Sequence, residues 1–312
     1  MAAQHCPVCG DDLVVVYEDM SDDRFGCPRV VSIYQCCGCG HFSVSPRLGQ
    51  DEIGNLYEMF YGRSSSTDLV PSKTVSKPWR RWILGQTNLG HFVLDPLTTT
   101  TLLDVGSGDC QNLCDAIALG FKAVGYDVDR TSVTIGERNS LEVRAGMSVG
   151  AAYPNRKFSA IQLNQVIEHY LDPRAQLHEL QDHLDDGGRL FISTPNAGSV
   201  FRRMFGRRWI NWHVPYHQHH FTKKSLTALL EHEGLEVVSQ RTVTPIVWFV
   251  LQVRQAASRP VRGQPSTRWG SPETRLGSAL LFALTVMMLV PVRLLDAVGL
   301  GDSLVVVATR KQ

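Results

Sequence analysis

The stretch that decides the fold is 102-LLDVGSGDCQN-112: a short apolar run, an acid, then two glycines one residue apart. A strand that breaks into such a turn brings backbone N–H groups close to a nucleotide-like ligand. The dinucleotide fingerprint G-x-G-x-x-G is met at Gly106 and Gly108 but fails at its third glycine, where Gln111 stands. That glycine is what allows helix and strand to pack closely beneath a pyrophosphate, so its absence argues against a dinucleotide. Two acids remain, Asp104 before the turn and Asp127 in 123-AVGYDVD-129. An acid at the end of the second strand can accept hydrogen bonds from both hydroxyls of a ribose.

Working outward, apolar runs alternate with helical patterns. Strands are predicted at 101–105, 122–126, near 141–145, at 158–164 and at 188–193, ending at Pro195. Helices are predicted at 110–119, 130–139 and 173–184, and a helical run at 79–94 comes before the first strand. This alternation predicts an α/β fold, a parallel Rossmann-like sheet whose ligand lies across the carboxyl ends of its first strands. There Asp104 suits a cationic amino-acid moiety better than a pyrophosphate. A ligand carrying an ammonium, a carboxylate and a ribose fits both acids, and S-adenosylmethionine is that molecule.

The segments LLDVGSGDCQNL, VGYDVDRTSV, FSAIQLNQVIEHYLDP and LDDGGRLFISTPN together resemble the class I S-adenosylmethionine-dependent methyltransferases from about residue 80 onward. More narrowly they are similar to the bacterial group that acts on quinones, sugars and other small metabolites, some of which carry an N-terminal cysteine ribbon. The resemblance implies a seven-stranded sheet. It implies that Asp104, Gly106, Ser107 and Gly108 line the methionine end of the cofactor, that Asp127 holds the ribose, and that Asn164 and Gln165 sit beside it. The sequence departs from the family pattern at Cys110, where a third glycine is common, and at Ser159, where an aspartate is usual.

Upstream, Cys6-Pro-Val-Cys9-Gly10 is followed after 26 residues by Cys36-Cys37-Gly38-Cys39-Gly40. Two C-x-x-C-G knuckles suit a tetrahedral zinc, and four protein ligands (Cys6, Cys9, Cys36, Cys39) leave no open position, which makes the metal structural. Cys36 rather than Cys37 preserves the two-residue gap, Cys27 is expected to be a packing residue, and His41 is expected on the ribbon surface. The intervening LVVVYED and RVVSIYQ read as strands of a zinc ribbon. The expected domains are the ribbon at 1–50, a helix and Ser/Thr/Pro-rich linker at 51–78, and a methyltransferase domain at 79–312. That domain includes a substrate loop at 195–232 and an apolar helical insertion at 244–300.

For the chemistry, Glu168-His169 lies one turn past the strand at 158–164, where His169 could deprotonate an acceptor hydroxyl. In related quinone-type enzymes the resemblance implies that such a pair helps to hold a divalent metal. The stretch 212-WHVPYHQHHFT-222 resembles the family's substrate loop. If it is extended, His217 and His219 point the same way. In 201-FRRMFGRRW-209 four arginines lie among aromatics, and Arg207 is read as a contact to an anionic group of the acceptor.

A net charge of +1 provides no global field for nucleic acid, and 43% hydrophobic with 20% charged residues describe an ordinary globular chain. The start MAAQHCPVCG lacks the features of an export signal, so the expected location is cytoplasmic. The run 276-LGSALLFALTVMMLVPV-292 carries no charge. It is read as a helix pair bent at Pro291, resting on the inner face of a membrane through 276–295, on a second copy in a homodimer, or on the core, with 301–311 as the last strand of the sheet. The acceptor is then a small molecule, a glycan or a lipid-linked compound, most plainly methylated on oxygen. The competing readings are an RNA base methyltransferase and a non-catalytic cofactor-binding adaptor.

Overall fold

The computed structural model describes residues 5–60, 68–73, 75, 77–85, 101–257, 260–266 and 275–311. Two sheets organise these residues. The first begins with β1 (Leu13–Ser21), β2 (Val30–Cys36) and β3 (Phe42–Ser45), joined as an antiparallel ribbon. The helix α1 (Gln50–Phe60) leads out of it, with Ile53, Leu56, Tyr57 and Phe60 on one face at i, i+3, i+4, i+7 spacing. A shorter helix, α2 (Pro78–Leu84), stops at Gly85, which adopts a left-handed conformation. The remainder of the helical run expected to reach 94 lies outside the described residues.

The second sheet carries the βα alternation. Its strands and helices follow in the order β4 (Thr101–Val105), α3 (Gln111–Ala118), β5 (Lys122–Asp127), α4 (Arg130–Arg138), β6 (Val143–Ala145), α5 (Val149–Ala152), β7 (Phe158–Asn164), α6 (Pro173–Asp182) and β8 (Leu184–Pro195). After β8 come α7 (Val200–Phe205), the two-residue strand β9 (His219–His220), α8 (Lys223–His232), β10 (Leu235–Val243), α9 (Ile246–Ala257), α10 (Arg275–Ala297) and β11 (Ser303–Arg310). Seven strands join in the order β10-β11-β8-β7-β4-β5-β6. The ladders from β8 to β6 are parallel, while β11 runs antiparallel between β8 and β10. The chain leaves β4 toward β5 and returns to β7 on its other side, so the topological switch point falls at the carboxyl end of β4.

Side-chain alternation sends consecutive strand residues to opposite faces, and both faces are covered. Leu103, Val105, Ile161, Leu163, Leu190 and Ile192 join one core cluster, whereas Leu102, Ala160 and Phe191 belong to the other. The first cluster also contains Cys6, Val8, Cys36 and Cys39, so the knuckles of the ribbon sit in the same core as the sheet. The ribbon sheet in turn takes its fourth strand from the second half of the chain: β9 pairs with β3, His220 opposite Phe42 and His219 opposite Ser43.

The apolar run near the C-terminus is one helix, not a bent pair. Within α10, Pro291 is an interior residue. An interior proline removes one backbone hydrogen bond at a cost of about 3 kcal/mol. Packing offsets it, because Met288, Leu289, Val292 and Leu295 pack into a cluster with Phe201, Trp209, Trp212 and Ile246. The opposite face leaves Phe282, Val286, Met287, Val290 and Leu294 exposed. Among the described residues no helix is long and apolar enough to cross a membrane.

Candidate active site

The cofactor turn is built at the switch point. Gly106 and Ser107 both donate their N–H to the Tyr126 carbonyl, at 2.8 and 3.1 Å, closing the turn against β5. Gly106 has a φ of +72°, and a Cβ there would come within 2.6 Å of Val166 Cγ2, so only glycine fits. Asp104 is buried beneath the turn, where its Oδ1 accepts from Gln162 Nε2 at 3.0 Å and its Oδ2 has no partner among the described residues. Burial pushes its carboxyl up to about 7. An unpartnered, buried carboxylate oxygen is a receptor for a cation with hydrogen-bond donors, and the ammonium of a methionine moiety is one. Asp127 accepts from Gly108 N at 2.8 Å through Oδ2 and from Asp129 N at 2.9 Å through Oδ1. A carboxylate oxygen can accept more than one hydrogen bond, the chemistry that a ribose diol would need at this position. Asn164 and Gln165 follow on the same sheet edge. Asn164 Oδ1 accepts from Ser193 Oγ, and Gln165 Nε2 donates to Ser193 and Ser303 hydroxyls at 3.1 and 3.3 Å. Their amides tie β7 to β8 and β11.

Beside this turn, the 3₁₀ turn at Ile167–His169 places Glu168 and His169 directly after β7. Glu168 is fully buried: Thr194 Oγ1 donates to its Oε2 at 2.9 Å, and Oε1 has no partner among the described residues. Burial raises its carboxyl to about 8, so at neutral pH it is mostly protonated. His169 Nδ1 lies 3.2 Å from the Tyr216 carbonyl and 2.9 Å from the Tyr57 hydroxyl. A carbonyl only accepts, so Nδ1 carries the proton and Nε2 keeps its lone pair. His217 repeats the pattern, with Nδ1 3.0 Å from the Asn211 carbonyl. The two imidazoles meet edge to face with centroids 4.6 Å apart. Burial lowers both histidines, His169 to about 4, which keeps them neutral at pH 7. Glu168, His169 and His217 each present one ligand atom, all within 4.8 Å of one another.

His219 is not with them. His219 pairs with β3, and its ring turns toward the ribbon, its Nδ1 3.0 Å from His41 Nε2. His41 is therefore fully buried and not on the ribbon surface. Arg207 also lies apart. Its guanidinium donates to the Glu18 carbonyl at 2.7 Å and covers the Tyr17 ring, fastening the 201–209 segment to β1. Arg202 does the same across Phe42, donating to the Ala197 carbonyl at 2.7 Å.

The four cysteines converge. Cys6 Sγ lies 3.6 Å from Cys39 Sγ, and Cys9 Sγ lies 3.3 Å from Cys36 Sγ. A tetrahedral zinc with bonds of about 2.3 Å sets its sulfurs about 3.8 Å apart, so the set fits that ion. The two knuckles close alike, Gly10 and Gly40 donating back to the Cys6 and Cys36 carbonyls, while the Cys6 and Cys36 sulfurs accept from Val8 N and Cys39 N at 3.4 Å. Cys37 is exposed and takes no part, while Cys27 is buried against Phe25, Phe60 and Tyr216.

Residues 81–240 match the methyltransferase domain family. The ubiquinone biosynthesis O-methyltransferase of Dinoroseobacter shibae is 27% identical over 159 residues, 47% of this chain and 64% of that protein. The chain thus spans less than two thirds of that relative's length. The enzyme of the same name from Cereibacter sphaeroides is 23% identical over 167 residues, 49% of this chain and 68% of that one. A S-adenosylmethionine-dependent methyltransferase from Archaeoglobus fulgidus superposes with a TM-score of 0.43 at 14% identity, covering 72% of this chain and 91% of that one. With the family match spanning half of the chain and the seven-stranded sheet placing the glycine turn at its switch point, this protein belongs to the class I S-adenosylmethionine-dependent methyltransferases.

Proposed function

We propose that the chain transfers a methyl group from S-adenosylmethionine to a hydroxyl of a small-molecule acceptor, with His169 as the general base. One observation carries this reading: two neutral histidines, each with Nδ1 pinned by a backbone carbonyl, meet just after Val166, the residue packed against Gly106 of the cofactor turn. When bound, S-adenosylmethionine supplies an electrophilic methyl group on a good leaving group, so positioning does much of the work. Asp104 would hold the ammonium, Gly106, Ser107 and Gly108 would line the methionine end, and Asp127 would hold the ribose. His169 takes the hydroxyl proton at Nε2 as the oxygen gains the methyl group. His217 forms the wall next to it. The names of the Dinoroseobacter and Cereibacter relatives support oxygen as the methylated atom.

A second reading comes from the unpartnered Glu168 Oε1 beside the two imidazoles. Glu168, His169 and His217 would then hold a divalent cation, whose chemistry is to lower the pKa of a coordinated hydroxyl. The cysteine knuckles would hold a structural zinc.

The test is turnover with S-adenosylmethionine and a panel of hydroxylated aromatic acceptors, read as release of S-adenosylhomocysteine, with and without added divalent metal. His169→Ala should lower turnover about 100-fold or more while leaving cofactor affinity intact. Unchanged turnover in that variant overturns the base assignment, and an absolute requirement for added metal replaces it with the second reading.

A further inference from the structure

Tyr57 belongs to no motif of the methyltransferase fold; it sits on α1, the helix that leaves the cysteine ribbon. Its ring packs with Phe25, Cys27, Phe60 and Tyr216, centroids 4.9 Å from Tyr216, and an ion pair of Arg29 with Glu52 at 3.2 Å also ties this helix to the ribbon. From that seat its hydroxyl reaches His169 Nδ1 at 2.9 Å, closer than the Tyr216 carbonyl at 3.2 Å.

We propose that Tyr57 is a positioning residue of the methyl-transfer site: its hydroxyl oxygen and the Tyr216 carbonyl share the Nδ1–H of His169, fixing the ring and the tautomer that leaves Nε2 unprotonated. This rests on the reading of His169 as the base. The logic is one of counting. A single N–H can be shared between two acceptors but cannot face two donors, and the carbonyl is an acceptor by necessity. Tyr57 therefore accepts, and the shorter of the two contacts is its own. Of the two acceptors, one comes from the loop that carries His217 and the other from the ribbon side of the molecule. The imidazole is held from both sides, in the manner by which a partner on one ring nitrogen sets the state of the other. The ribbon is thereby given a part in the acceptor half of the site.

The experiment uses the full chain, labelled with ¹⁵N-histidine and saturated with S-adenosylhomocysteine, and reads the tautomer of His169 from long-range ¹H–¹⁵N spectra, assigned by its loss in His169→Ala. Wild type should show protonated Nδ1 and bare Nε2, and Tyr57→Phe should show a mixture of tautomers. In turnover, Tyr57→Phe should lower kcat about 10-fold, the low end for losing such a partner, with KM and cofactor affinity within about twofold. An Nε2–H tautomer in wild type overturns the proposal, and so does a Tyr57→Phe spectrum superimposable on wild type. Should Tyr57→Phe not fold, 3-fluorotyrosine at position 57, a weaker acceptor of the same shape, should shift the His169 Nδ1 resonance, and an unmoved resonance overturns the proposal. If the tautomer responds as expected but His169→Ala turns over normally, the base reading has failed and Tyr57 still positions the ring.

Discussion

The cofactor turn and the histidine cluster share one sheet edge but draw on the chain in opposite ways. The turn is local: Asp104, the glycines, Asp127 and Gln162 all come from the β4–β7 stretch, and their contacts are mostly backbone bonds that any such strand–turn–helix would make. The histidine cluster is composite. It needs Tyr57 from α1, Glu168 and His169 from the turn after β7, Thr194 from β8, and Asn211, Tyr216 and His217 from the loop that ends in β9. The difference suggests that cofactor binding should survive damage that removes acceptor chemistry.

The strongest way to break that contrast is to remove the zinc proposed for the knuckles. Structural zinc contributes about 10 kcal/mol or more to folding in isolated zinc fingers, so a chelator or Cys39→Ser should disorder the ribbon and abolish turnover. Cofactor affinity by calorimetry should fall far less than turnover, although the knuckles share a core with β4 and β7; a parallel loss would make the two halves one cooperative unit. Asp127→Ala attacks the other side. Losing a charged acceptor for the ribose should weaken the cofactor about 10- to 100-fold with no change in melting temperature beyond a few degrees.

Next comes Asp302, buried just before β11, which accepts from Ser199 Oγ at 2.6 Å, Trp209 Nε1 at 2.9 Å and Asn211 Nδ2 at 2.9 Å. Asp302→Ala strands three buried donors, and unfolding by denaturant should show a loss of about 2 kcal/mol or more. Burial pushes its carboxyl from the usual 3.8 to about 7, with Asp296 nearby adding to the rise. A raised pKa means stability from this group is full below pH 3.8 and lost as pH rises through about 7, a decline that Asp302→Ala should lack. The smallest effect is expected at exposed Arg207, where Arg207→Ala should change stability by about 0.5 kcal/mol or less. If that variant selectively raises KM for an anionic acceptor, Arg207 belongs to the acceptor site after all.

The contrast also explains what could be read from the residues alone. LLDVGSGDCQN announces its own geometry because a G-x-G turn and its flanking acids are consecutive, and each constrains the backbone next to it. The knuckles are legible for the same reason, since C-x-x-C-G fixes two sulfurs by local chain geometry. His41 and His219 were not legible as partners, because their meeting depends on β3 pairing with a two-residue strand far along the chain. Tyr57 gave only the signal of an inward helix face shared with Ile53, Leu56 and Phe60, which says buried but not against what. Pro291 misled because the helix that tolerates it does so through tertiary packing, which no window of sequence contains.

The pairing of β9 with β3 also bears on biosynthesis. The ribbon strands leave the ribosome well before β9, so β3 has β2 on one side and nothing on the other until residue 219 has been made. Until then β3 is an open edge, the kind of surface on which nascent chains associate wrongly. Any fragment ending short of that residue, whether made by a ribosome, a protease or a cloning strategy, keeps that edge exposed for good, so the ribbon should be studied only in chains long enough to cover it.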